Sequence, residues 1–168
     1  MTYQIGDQVV HRNYGPGKII GIEEKQLGKK TCEYYVVETS QVTLWVPVDA
    51  AENSLRFPAA SAEFQELLTL LDGSGERLPD HHVERQDVLA IRMKNRTLED
   101  ICNVIRDLTS HSRNHPLNRN DNEIMRRAQE FLLNEWEMAL GTPRAEARQE
   151  LADLLQVIQP VQQQPLQA

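Results

Sequence analysis

Cysteine is nearly missing from this chain. Only Cys32 and Cys102 occur in 168 residues, far apart, which excludes a disulfide framework and fits a reducing compartment. Aromatic residues are scarce at 5%, and the 40% of hydrophobic residues suffices for a modest core but not a large one. No run approaches the roughly 18 consecutive apolar residues that a transmembrane helix requires. The opening Met1–Ile5 has neither a basic nor an apolar signal region, so export is not expected and the cytoplasm is. Catalytic motifs are missing too: there is no Walker loop, no G-x-G-x-x-G after a strand, no H-E-x-x-H and no G-x-S-x-G. No enzyme activity, cofactor or small-molecule substrate is therefore expected. Positive charge is in deficit, with 18 Lys and Arg against 25 Asp and Glu, a net charge of −7. Taken whole, that balance argues against a nucleic-acid binder.

What is present falls into two patterns. Residues 1–58 read as short strands joined by tight turns. Gln8–His11 is β-prone, Asn13–Gly17 is dense turn punctuation, and Lys18–Glu23, Glu33–Glu38 and Val42–Val46 are further strands. Four or five strands in under 60 residues predict a small barrel of the SH3 or Tudor type.

Residues 59–157 read as helices. Phe64, Leu67, Leu68 and Leu71 lie on one helical face, and a second helix is expected from about Asp80 to Asn95. Thr97 caps a third, with Leu98, Ile101, Val104, Ile105 and Leu108 at helical period. Asn120–Glu123 resembles a capping box for a long helix to Leu140, with Gly141 as its stop and a last helix from Pro143 to about Val157. Residues 158–168 are expected to form a disordered Gln-rich tail. The fold class is thus α+β in two domains, a small Tudor/SH3-like β-barrel followed by an all-α helical bundle.

Charge is unevenly spread along this organisation. Residues 77–127 carry 10 basic and 8 acidic side chains, the only net-positive stretch, while 59–76 and 128–168 are each −4. Arg92, Lys94 and Arg96 fall within five residues at a predicted helix end. They suit the helix dipole, or alternatively a small phosphate-contacting patch whose binding would be weak and salt-sensitive. His111 and His115 share a helix face, but no third ligand stands at a diagnostic spacing, so no metal site is expected. Cys102 and Trp136 are read as core. Trp45 alternates with Leu44 and Val46 and is expected on the outer face of its strand, covered by a neighbouring element or facing a ligand. An exposed edge strand there could accept a strand from a partner.

These pieces resemble the CarD/CdnL family of bacterial transcription regulators. The resemblance rests on Ile5–His11, Gly15-Pro16-Gly17, Ile19–Glu23, Glu33–Val37 and Leu44–Pro47 in the strand region. In the helical region it rests on Val104–Leu108 and Ala128–Glu135. It spans roughly residues 3–155.

The resemblance implies a Tudor-like module that binds the RNA polymerase β subunit through a strand-mediated surface, placed here at Lys25, Val42, Thr43, Leu44, Trp45 and Val46. It further implies a helical domain that stabilises the open complex at the upstream edge of the transcription bubble. His82 stands where family members carry a minor-groove tryptophan, with Glu84 and Arg85 at the basic pair that follows. Arg85, Arg92, Lys94 and Arg96, with His82, are the expected DNA contacts. Binding to promoter DNA would be weak and polymerase-dependent, and the protein a monomer that reaches the nucleoid through polymerase. The alternative is a polymerase- or protein-binding adaptor that never touches DNA.

Overall fold

The computed structural model describes residues 2–161 and divides into two compact units, one up to Ala59 and the other from Ala60 onward. The first is a five-stranded antiparallel sheet: β1 (Gln8–His11), β2 (Gly15–Leu27), β3 (Lys30–Thr39), β4 (Thr43–Pro47) and β5 (Leu55–Arg56), in the spatial order β4-β3-β2-β1-β5. Period-two alternation drives Val9, Ile19, Tyr35, Val37 and Val46 into one core with Tyr3, Ala51 and Leu55, and Leu44 and Val48 pack against it. Tyr3 closes this core from outside the strands. Its hydroxyl donates to the Leu55 carbonyl at 2.9 Å, and its ring meets Tyr35 edge-on at 5.7 Å.

The predicted turn at 13–17 is shorter than expected. Gly15, Pro16 and Gly17 already pair with His11, Val10 and Val9 as the start of β2. Proline is tolerated because Pro16, second in the strand, stands one residue before pairing with β3 begins at Gly17. His11 closes the turn, its Nδ1 accepting from the backbone N–H groups of Asn13 and Tyr14 at 3.1 and 3.3 Å. Beyond Tyr34, which pairs with Pro47, strands β2 and β3 continue as a two-stranded ribbon to Leu27 and Lys30.

The second unit holds α1 (Ser61–Leu68, extended by a 3-10 turn to Leu71), α2 (His82–Asn95), α3 (Leu98–Ser112), α4 (Arg119–Leu140) and α5 (Arg144–Gln156). Helix α3 is central. Ile101, Cys102, Val104, Ile105 and Leu108 are fully buried, and its Asp107, Thr109, Ser110 and His111 are buried too. Phe64, Leu71, Leu89, Leu132 and Trp136 complete this core, with Phe64 and Trp136 in edge contact at 5.6 Å.

Capping follows local chemistry. Thr97 Oγ1 accepts from the Asp100 N–H at 3.0 Å, and Gly141 ends α4 in the left-handed conformation. The capping box of α4 is Asn118 with Asp121, two residues earlier than expected. Helix α2 ends at Arg96, which has φ 52° although it is not glycine.

The expected tail boundary at 158 falls inside packed structure. Ile158 is buried, Ser110 Oγ donates to the Gln159 carbonyl at 2.8 Å, and Arg113 donates to the carbonyls of Leu155 and Ile158 at 2.7 and 3.2 Å. The rest of that stretch, residues 162–168, lies outside the described residues.

Candidate functional site

In the sheet unit the expected polymerase contacts fall on β2, for Lys25, and on or just before β4, an edge strand paired among the described residues only with β3. Backbone groups of alternate residues in an antiparallel strand point to opposite sides. The Thr39 N–H donates to the Val42 carbonyl at 2.9 Å, so Val42, Leu44 and Val46 turn their backbone groups toward β3. Those of Thr43 and Trp45 face the open edge, and Pro47 brings no N–H.

Side chains alternate as well. Trp45 lies on the outer face at 43% exposure, and Val42 is exposed at the strand's start. Its indole Nε1–H donates to Glu23 Oε2 on β2 at 2.8 Å. Lys25 Nζ sits 4.0 Å from the indole centroid and 5.9 Å from the Tyr34 ring, in cation–π contact with both. Lys25 and Trp45 are thus brought together, Thr43 has the outward parity of Trp45, and Val42, of the parity of Leu44 and Val46, is exposed at the strand's start. Val46 does not join them: its side chain is buried in the barrel core and its backbone faces β3. Leu44, half-buried against that core, supports the strand from behind.

Two members of this cluster escaped the sequence reading, Glu23 and Tyr34. The signal was there in the outward positions 21, 23 and 25 of β2, which come within reach of Trp45 across β3 only once the strand order is known.

In the helical unit the five expected DNA contacts separate. His82 opens α2 and is exposed, its ring stacked on His81 with centroids 5.0 Å apart. Lys94 is exposed in the last turn of the same helix, and Arg96 is half-exposed at its cap.

Arg85 is a correction. It is 4% exposed, its Nε and Nη2 donate to both carboxylate oxygens of Asp121 at 3.0 and 2.9 Å, and its Nη1 donates to the carbonyls of Pro79 and Asp80. An arginine that is 4% exposed and spends four of its five N–H donors on a buried carboxylate and two carbonyls is not available to a phosphate.

Arg92 is tethered as well, with Nη1 donating to Asp107 Oδ2 at 2.6 Å and Nη2 lying 3.6 Å from Glu76 Oε2. Asp107 is fully buried and also accepts from Arg106 Nε and the Glu76 N–H. Gly75 lets the 73–80 segment approach this hub. A Cβ there would lie 2.9 Å from Asp107 Oδ1 and 3.0 Å from Ser110 Cβ.

Titration behaviour follows burial. Burial pushes the Cys102 thiol up to about 12, which leaves it inert. Burial lowers His111, with the nearby Arg85 and His115 adding to the effect, and burial lowers His11. The rings of His111 and His115 stack at 4.9 Å. Among the described residues no group of three or more His, Cys, Asp or Glu could hold a metal ion, and no helix is long and apolar enough to cross a membrane.

Comparison with known proteins places this geometry. Residues 3–57 match the CarD-like/TRCF RID domain, and residues 66–152 match the CarD C-terminal domain. The chain is also similar to YdeB of Bacillus subtilis (strain 168), described provisionally as a transcription factor. The two are 27% identical over 143 residues, covering 83% of this chain and 93% of the relative. With both halves matched in order, this chain belongs to the CarD family of transcription regulators.

Proposed function

We propose that the protein docks on the β subunit of RNA polymerase through the open edge and outer face of β4 and, held there, modulates the stability of the promoter open complex. The observation that carries this reading is Trp45, a large aromatic side chain 43% exposed beside an unpaired strand edge. An edge with free backbone groups accepts a partner strand, and a tryptophan beside it supplies an anchor of the kind that dominates interface energies. Docking raises the local concentration of the helical unit at DNA, so a few contacts that do not read sequence suffice. Those contacts are assigned to His82, Lys94 and Arg96. A monomer meets these requirements, and it would reach the nucleoid only on polymerase.

A second reading, an adaptor that binds polymerase or another protein without touching DNA, is favoured by one observation. Arg85 and Arg92 already face buried carboxylates.

Co-purification with core RNA polymerase tests the docking half. Trp45→Ala is expected to weaken it by about thirtyfold, the size of an interface hot spot, and undiminished binding would remove the β4 surface from the interface. Lifetimes of the open complex separate the two readings. Lys94→Ala combined with Arg96→Ala should change the lifetime while polymerase binding persists; if binding persists and the lifetime does not move, the adaptor reading stands. His82→Trp should lengthen the lifetime if this position lies at the bubble edge.

A further inference from the structure

A tryptophan on an open strand edge would ordinarily sample several rotamers, whereas the Trp45 indole has one partner on its edge and another on its face. Its cross-strand row is Trp45, Val36 and Gly21, so the neighbouring outward position on β2 in that row carries no side chain. The next outward residue on β2 is Glu23, in the row of Tyr34 and Pro47. To hydrogen-bond at 2.8 Å, the Trp45 indole and the Glu23 carboxylate must meet over β3, the strand between theirs. Val36, over which this contact runs, is 5% exposed although it faces out of the barrel. Lys25 then covers one indole face at 4.0 Å. The edge of the ring is held by a hydrogen bond and its face by a cation.

We infer that Glu23 is a positioning residue for partner binding: its carboxylate fixes the Trp45 indole across the sheet in the orientation that RNA polymerase meets. This deepens the proposed docking function and rests on it. Fixing a side chain before binding removes the entropy of fixing it at binding, an effect of about twofold to tenfold in affinity per rotamer-rich side chain. A charge-assisted hydrogen bond is the means, and a neutral acceptor at the Glu23 position keeps a weaker form of it.

The test uses the full chain with 15N-labelled tryptophan and core RNA polymerase as the probe. Two indole N–H signals are expected, from Trp45 and the buried Trp136, and Trp45→Phe identifies the first. Glu23→Ala should shift the Trp45 signal and speed its exchange with solvent, leave that of Trp136 in place, and weaken polymerase binding by about threefold to tenfold. Glu23→Gln keeps an acceptor oxygen and should recover most of both.

Three results would overturn the inference. If Glu23→Ala frees the Trp45 signal and binding is unchanged while Trp45→Ala abolishes it, the inference fails and the docking surface stands. If Glu23→Ala and Glu23→Gln weaken binding alike with the Trp45 signal unmoved, Glu23 touches polymerase itself. If Trp45→Ala binds like the wild type, the docking reading falls and takes the inference with it.

Discussion

The two units treat charge and hydrogen-bonding capacity in opposite ways. In the sheet unit, Lys25 rests on aromatic faces, Trp45 lies exposed, and one strand edge keeps backbone groups unpaired. In the helical unit, arginines turn inward or along the surface onto carboxylates: Arg85 onto Asp121, Arg92 onto Asp107, and Arg144 onto Glu130 and Glu137. Desolvating a charge is costly unless a partner and further hydrogen bonds compensate it, and these pairs have both. A net-positive segment is therefore not a positive surface. Several of the ten basic side chains of residues 77–127 are spent on carboxylates and carbonyls inside the fold.

If this contrast is right, interior charges govern stability and outward groups on the sheet govern binding. The largest effect is expected from Asp121→Ala, which strands the buried Arg85 guanidinium and removes half of the α4 capping box. A loss of about 3–5 kcal/mol in urea unfolding followed by helical circular dichroism is expected. A loss under about 1 kcal/mol would mean Arg85 is free to serve elsewhere. Next is Gly75→Ala, whose new methyl presses on Asp107 and Ser110 and should remove about 1–3 kcal/mol in the same measurement.

Acidification should act on both units. The folded-state pKa values of His11 and His111 lie below their ordinary 6.5, so the unfolded chain takes up protons first as pH falls. Stability is complete above pH 6.5 and declines as pH drops through it toward the folded values. In the sheet unit this has a visible cause, since a protonated His11 Nδ1 can no longer accept from Asn13 and Tyr14. The urea midpoint should be lower at pH 5.5 than at pH 7.5, and His11→Gln should flatten that difference; a midpoint that rises on acidification contradicts it. The smallest effect is on the other side of the contrast. Lys94→Ala should change stability by no more than about 0.5 kcal/mol, and Trp45→Ala, which loses the Glu23 hydrogen bond and uncovers Val36, by about 1 kcal/mol. A larger loss for Trp45→Ala would give the indole a structural role on the sheet.

Much of the architecture was legible without coordinates, because period-two and period-3.6 patterns report burial directly. Val9, Tyr35, Val37 and Val46, and then Ile101, Val104, Ile105 and Leu108, announce their inward faces. The capping box slipped by two residues because Asn118–Asn122 is rich in Asn and Asp, and several registers satisfy the same local rule.

What stayed hidden depends on pairs distant in sequence. Arg85 reads as a surface cation, since Asp121 stands 36 residues away and nothing local announces it. The clamp on Trp45 is of the same kind, 22 residues from Glu23 and decided by strand order. The error at residue 158 arose because a polar, proline-bearing stretch resembles a tail until the Arg113 and Ser110 donors that hold it are seen.

The turn between α2 and α3 carries a conformational cost. Arg96 occupies φ 52°, a conformation that strains a residue with a Cβ by about 1–2 kcal/mol and that glycine adopts freely. Arg96→Gly should therefore make the helical unit harder to unfold. Arginine at such a position forgoes rigidity that glycine would supply, and Arg96 is one of the residues proposed above to meet promoter DNA. A variant that gains thermal stability and at the same time loses control over promoter opening would display both effects in one substitution.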